Sequence, residues 1–462
     1  MNNLKSKHQQ EFDEWLKKQP KRLSANQIKL HTQSIRKLVS DDLSPQLASN
    51  VKDNTLFHKY HELQDWLPKQ DEQLIEEVKN NIWKPTGKSD YRRLKPELVL
   101  VDSHYEFQSM NIWGEPKTEV YDPIDPLAKH WEILRVLVSR ARYDRFPGRT
   151  LNFLVSDEVT KKYLGVISIT SDMLDLTDRN KSIGADITRF NRDGNPFNIT
   201  ANGQTIVPTQ PFGSAFLGGK LLSLLCLSNV VMEAWKKTYG ETIVGVTTTS
   251  LYGDSGKDGR TQYDGLTPYW KKVGQSKGTT PTKMTDSVYE EIKEWIRLCF
   301  PEQYFQMNIQ SRKDSKNKLQ KFAYQQLGLS VGAKSEHKRN VYFSRLFTNT
   351  DEYIQRHIQS HYNQSIKPMD VAELKPAFDN SIEELTKHWM FGYAGDTTTS
   401  PPEVVKKHGK DIRRLTKGRI DKNFKDKKIP TTGSDVDWYE SLGRIKSWEQ
   451  VQKQYPNQLM DS

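Results

Sequence analysis

Apolar positions recur at helical spacing through roughly the first hundred residues: Phe12, Trp15 and Leu16, then Ile28, Ile35 and Leu38, then Leu63, Trp66 and Leu67. That period predicts helices there. Between Asn80 and Pro96 the pattern gives way to Pro, Gly and Ser, which marks a boundary. From Leu98 to Ser250 short β-rich runs alternate with helices: ELVLVDS, a helix near Trp131 to Arg142, then TLNFLVSD and YLGVISITSD. Asn152 to Ser171 reads as a hairpin whose second strand is Leu164 to Thr170. A second unit follows, with a strand at Thr205 to Pro211, a long apolar helix from Leu217 to Tyr239, and a strand at Thr242 to Ser250. Beyond it come a loop region rich in Gly, Tyr and Lys to Thr280, a helix from Asp286 to Phe300, a basic stretch from Ser311 to Arg339, and a strand at Asn340 to Leu346. The predicted class is α+β. It divides into a helical region at 1–90, a mixed core at 91–355 and a basic helical region at 356–462, with no internal repeat of fixed period.

Length and charge narrow the function. With 462 residues, 35% of them hydrophobic, a sizeable core can be buried. Lys and Arg outnumber Asp and Glu by 69 to 58, a net charge of +11 that favours an anionic partner, nucleic acid before others and DNA first among those. Two stretches concentrate it: Val404 to Lys428 carries eleven Lys and Arg against three Asp, and Ser311 to Arg339 eight against two acids. Such runs serve as solvated helix faces or tails, or as phosphate contacts. Arg312, Lys313, Arg413 and Arg414 are the candidate contacts within them. Cys226 and Cys299 are too few for a disulfide framework and suit a reducing cytoplasm. The N-terminus lacks an apolar signal-like run, and the longest apolar stretch, Leu221 to Met232, is too short to span a bilayer, so the expectation is a cytoplasmic protein without a membrane partner.

Two segments carry candidate chemistry. In the first, Gln210, Gly213, Ala215, Gly218, Gly219 and Lys220 lie between a predicted strand and a long helix. Backbone amides at such a turn, with the helix N-terminus behind them, can cradle a pyrophosphate. The same glycines could instead let the helix pack tightly on the sheet. Leu221 stands where a Walker loop needs Ser or Thr. The second segment is a strand ending in four hydroxyls, up to Ser250, followed by a loop with Tyr252, Tyr263, Asp264, Tyr269, Trp270, Lys271, Lys272 and Lys277. Rings interleaved with lysines suit an unstacked base and its phosphate, or else plug a β-rich core. His58/His61 and His357/His361 have helical spacing but no HExxH context, so no metal is assigned. Arg179 with Asp178, and Arg189 with Asp186, read as surface ion pairs.

The order strand, glycine loop, helix, strand resembles the acetyltransferase superfamily. Its signature of Gln or Arg, two residues, Gly, one residue, Gly or Ala is matched by Gln210, Gly213 and Ala215. A longer series is similar to the DruA family of defence, phage and mobile-element proteins: GVISITSD, DRNKSIG, LGGKLLSLLCLS with EAWKKTYG, IVGVTTTSLYG, YDGLTPYWKKVG with SKG, and VYFSRLFTNTDEYI, in order from about residue 150 to 355. The glycine block also resembles Mom-type enzymes, which modify DNA bases on an acetyltransferase-like fold. Together the resemblances imply a nucleic-acid-directed role within a defence or mobile-element complex. At their finest they imply transfer of an acyl-type group from a coenzyme-A thioester held by Gln210 to Lys220 onto a base. Tyr252 or Tyr263 would return a proton to the thiol, Asp264 would take one from the amine, and Ser250 would orient the substrate. A non-enzymatic DNA-binding subunit and a nuclease are the competing readings.

Overall fold

The computed structural model describes residues 7–20, 23–48, 66–85, 90–101, 125–139, 148–173, 176–185, 196–250, 261–276, 284, 286–310, 315–329 and 339–391. Seven strands make one open sheet: β1 (Pro96–Val101), β2 (Thr150–Asp157), β3 (Tyr163–Ser171), β4 (Thr200–Pro208), β5 (Gly245–Thr249), β6 (Lys271–Gln275) and β7 (Asn340–Arg345), in the order β1-β2-β3-β4-β5-β7-β6. Every neighbouring pair is antiparallel except β4 with β5. The class is α+β, as the pattern predicts.

The hairpin is the part the sequence reads best, because both of its runs are apolar enough to be buried on two faces. One face carries Leu151, Phe153, Ile167, Ile169 and Ile206 and packs against α7 (Gly218–Leu225), α8 (Asn229–Tyr239) and α13 (Ile382–Phe391). The other carries Leu154, Val166 and Val207 and packs against α3 (Glu72–Asn80) and α4 (Pro126–Val138). Asp71 and Asp125 cap those two helices, each accepting from the backbone amide two residues on, at 2.8 and 2.9 Å.

The long helix expected from Leu217 to Tyr239 is two helices. Cys226 to Ser228 interrupts it with turns that tighten the helix end, Ser228 is extended, and Asn380 accepts the Asn229 amide at 3.0 Å while its own side chain reaches the Leu227 carbonyl. An unbroken apolar run hid that break. Strand β4 begins at Thr200, five residues earlier than expected, because Ala201 to Gly203 pair with β3 across a register shift. The strand at Lys271–Gln275 falls where a loop is expected.

The helices read as a separate N-terminal region divide between two cores. Helix α3 belongs to the sheet, whereas α1 (Lys7–Lys17) and α2 (Ala25–Ala48) pack with α9 (Asp286–Cys299), α10 (Pro301–Tyr304) and α11 (Ser315–Gln326), inserted between β6 and β7. Ile35, Val39 and Leu43 of α2 meet Ile292, Trp295 and Ile296 of α9. Trp295 donates to Thr32 Oγ1 at 3.2 Å and Arg297 to Gln19 Oε1 at 2.6 Å. No helix among the described residues is long and apolar enough to cross a membrane.

Candidate functional site

The glycine segment forms a one-turn helix, α6 (Phe212–Ala215), then α7. Leu217 between them is held in the left-handed region at φ 60°, and its carbonyl accepts from the Lys220 amide at 2.9 Å and Trp389 Nε1 at 3.1 Å. A Cβ built on Gly218 would lie under 3 Å from three carbons of the Phe212 ring, and one on Gly219 would lie 2.6 Å from Gln262 Oε1. Phe212 is itself wedged edge-on against Trp83 and Trp389, with centroids 5.5 and 5.7 Å away. The Gly213 amide is spent on the Thr209 carbonyl at 2.8 Å. Gln210 is buried. The glycines at the entrance of α7 thus admit aromatic and amide side chains to close range, the tight-packing alternative of the sequence reading.

Strands β4 and β5 pair only from Thr200 to Asn202 with Gly245 to Thr247, while β4 continues to Pro208 paired with β3 alone, its β5-side edge unpaired. Gln262 and Tyr263 stand beside this unpaired length. Gln262 Nε2 donates to the Ile206 carbonyl at 3.1 Å, Tyr263 and Thr248 hydroxyls meet at 3.3 Å, and Thr248 donates to the Gly203 carbonyl at 2.9 Å. Lys220 closes the arrangement by donating to the Gln262 carbonyl at 3.4 Å and to the Asp264 carbonyl. The two predicted segments therefore do come together, and they pack on each other.

The proposed catalytic groups divide accordingly. Tyr263 is enclosed, edge-on to Trp270 at 5.2 Å, and burial pushes its hydroxyl well above the ordinary tyrosine range. Asp264 is engaged on both carboxylate oxygens, accepting from the Thr261 amide at 2.6 Å and the Tyr342 hydroxyl at 2.8 Å. Ser250 is buried at the end of β5 with no partner for its hydroxyl. Trp270, expected to stack on a base, is a core residue whose indole donates to the Ser223 carbonyl at 2.7 Å. Lys271 and Lys272 are exposed on β6, at the edge of the sheet. Ala215 is in α6. Tyr252, Lys277, Arg312, Lys313, Arg413, Arg414, Asp186, Arg189, His58 and His61 lie outside the described residues.

A second constellation was not legible in the sequence. Arg179, read there as half of a surface pair with Asp178, is fully buried and paired with Asp172, also fully buried. Thr200 and Thr247 donate to Asp172 Oδ2 at 2.6 and 2.9 Å, and Arg179 also donates to Thr247 Oγ1 at 2.8 Å, to Asn180 Oδ1 at 2.7 Å and to the Met173 carbonyl. Its guanidinium lies 4.4 Å from the Phe197 ring centroid. Burying two charges is tolerable only when every donor and lone pair finds such a partner. Asp178, in turn, accepts from the Gln275 amide at 2.9 Å and ties α5 (Thr177–Ser182) to β6. Arg345 of β7 donates to Ser182 and to Asp351 of α12 (Thr350–Tyr362), fixing the other end of α5. GVISITSD, DRNKSIG, IVGVTTTS, KKVGQ and VYFSR thus converge on one end of the sheet.

That convergence falls inside the stretch that matches known proteins. The family described as Druantia protein DruA matches residues 128–356. Over that region the chain is DruA-like. Druantia protein DruA of Escherichia coli (strain UMEA 4076-1) is 31% identical over 163 residues, covering 32% of this chain and 39% of that relative. The chain thus spans about two fifths of the relative's length. No solved structure matches it. The DruA region holds β2 to β7, the Asp172–Arg179 pair and both candidate segments, but also the helical insertion, whose core is completed by α1 and α2 from outside it.

One titration follows from the packing beside α7. His388 of α13 lies 4.8 Å from the Tyr269 ring, and burial, helped by Lys220, pushes it down to about 4 from 6.5. The unfolded chain therefore takes up this proton first, so the stability it preserves is complete above pH 6.5 and declines as pH falls toward 4. Melting temperatures across that range should fall less steeply for His388→Gln than for the parent chain.

Proposed function

We propose that this chain is a nucleic-acid-directed subunit of a DruA-type defence or mobile-element system, acting by binding. The observation that carries this reading is the DruA match over residues 128–356 in a chain of net charge +11. Exposed Lys271 and Lys272 on the sheet edge supply phosphate contacts, and the basic stretches at 311–339 and 404–428 supply more. Protein partners within such a system belong to the same proposal.

Acyl transfer from a coenzyme-A thioester is the second reading, favoured by the Gln210, Gly213, Ala215 signature and by the single parallel strand pair beside it. It requires a diphosphate to displace Phe212 from Gly218 and Gln262 from Gly219, both tightly seated. Melting the full chain with acetyl-coenzyme A and, separately, with duplex DNA at low salt distinguishes the two, because any native-state ligand stabilises by mass action. The binding reading expects a shift with DNA alone. A shift with acetyl-coenzyme A would overturn it in favour of transfer.

A further inference from the structure

Strand β1 ends the sheet on the side away from β6, and its bonding pattern fixes which groups face outward. The Glu158 amide donates to the Lys95 carbonyl at 2.7 Å, and antiparallel bonds to one partner fall on every second residue, so Glu97, Val99 and Val101 bond to β2. The far side of β2 agrees. There the Ser171 amide donates to the Arg149 carbonyl at 2.9 Å, which turns Leu151 and Phe153 toward β3 and leaves Asn152 and Leu154 for β1. The N–H and C=O groups of Leu98 and Leu100 therefore point away from the sheet, and among the described residues no other backbone group reaches them.

The side chains along this edge are apolar. Register sets Leu98 and Leu100 against Val155 and Phe153, on the face that carries α8. Leu100 is 42% exposed and lines an open groove of about 530 Å³ with Val230, Ala234, Glu233 and Lys237 of α8. Unpaired amides beside exposed leucines are a template for another strand. From Leu98 to Val101 the edge has neither a lysine nor a bulge to prevent it.

We infer that β1 pairs antiparallel with β1 of a second copy of this chain, joining two seven-stranded sheets into one. The strand is self-complementary. Centring the twofold on Val99 sets Leu98 of each copy against Leu100 of the other, so that every outward N–H of these residues meets an outward carbonyl. Sliding the strands toward Pro96 would set Leu100 against a residue with no N–H, which favours the first register. The four leucines then make one apolar strip between the two grooves. Charge fits the same occupant: the chain is +11 overall, but the groove wall carries one acid and one base, Glu233 and Lys237, a turn apart, so two copies meet there without an excess of like charge. Nucleic acid would find no excess of cations on this wall.

Sedimentation velocity of the full chain across micromolar concentrations should show a monomer–dimer equilibrium, since two short strands and the groove walls make a small contact. Leu100→Lys should raise the dissociation constant by about tenfold or more. Its melting temperature at low concentration should hold, because an exposed side chain gives up little packing. Cysteine cross-linking reads the register. The central Val99 pair, not bonded to each other, would have Cα atoms about 4.5 Å apart, within reach of a disulfide. Mild oxidation should therefore cross-link Val99→Cys faster than Leu100→Cys, although Leu100 is the more exposed position and random collision would reverse that order. The parent chain, with Cys226 and Cys299, gives the background. A chain that stays monomeric throughout, a dimer indifferent to Leu100→Lys, or Leu100→Cys cross-linking as fast as Val99→Cys would each overturn the proposal.

Discussion

Replacing Arg179 with methionine is expected to destabilise the chain by about 3–5 kcal/mol, the largest effect of any single change considered. The loss comes less from the missing attraction than from what remains. Asp172 would keep its Thr200 and Thr247 donors but hold a full charge in a site with no access to water. Asp172→Leu alone should cost a similar amount, because it strands the guanidinium beside Phe197. The double variant, with neither charge, should recover most of the loss, since a buried pair and an apolar pair of similar volume differ little in stability. Urea midpoints of the four proteins read this cycle directly. Single-variant costs under about 1 kcal/mol would mean the pair is not sealed as described.

The second large effect is expected from Gly218→Ala, at about 1–3 kcal/mol. The added methyl would enter the space of the Phe212 ring, and that ring cannot retreat between Trp83 and Trp389. Gly240→Ala provides the comparison. Nothing lies within 4 Å of its Cβ, but its φ of 78° carries a backbone penalty of its own, so its loss reports conformation and the Gly218 loss reports crowding. If Gly218→Ala leaves the melting temperature unchanged, Phe212 is loosely seated and the entrance of α7 is open to a ligand after all.

These two residues show where sequence reading succeeds and stops. The hairpin from Thr150 to Ser171 and the helix from Asp286 were legible because each has a single strong period. The start of strand β4 is masked in the sequence by Asn202 and Gly203, residue types typical of turns, which here pair with β3 across a bulge. The break at Ser228 was hidden because its cause, Asn380, lies far along the chain. Asp172 was visible as an acid ending an apolar strand, but nothing local says that Arg179 turns back to it or that Thr200 and Thr247 arrive on neighbouring strands. Register decides that, and register is a property of the assembled sheet. The same limit applied to the glycine and tyrosine segments: their meeting was anticipated, while the filling of their shared space by Phe212, Gln262 and Tyr263 depends on side-chain packing.

Nucleic-acid binding by this chain is tested most directly by its affinity for duplex DNA across a range of salt concentrations. Displaced counterions give log affinity a falling slope against log salt of about 0.9 per phosphate contacted. A steep negative slope is expected, becoming shallower by about two when Lys271 and Lys272 are both replaced by alanine, with no change in melting temperature. A flat dependence, or no measurable binding at low salt, would contradict it.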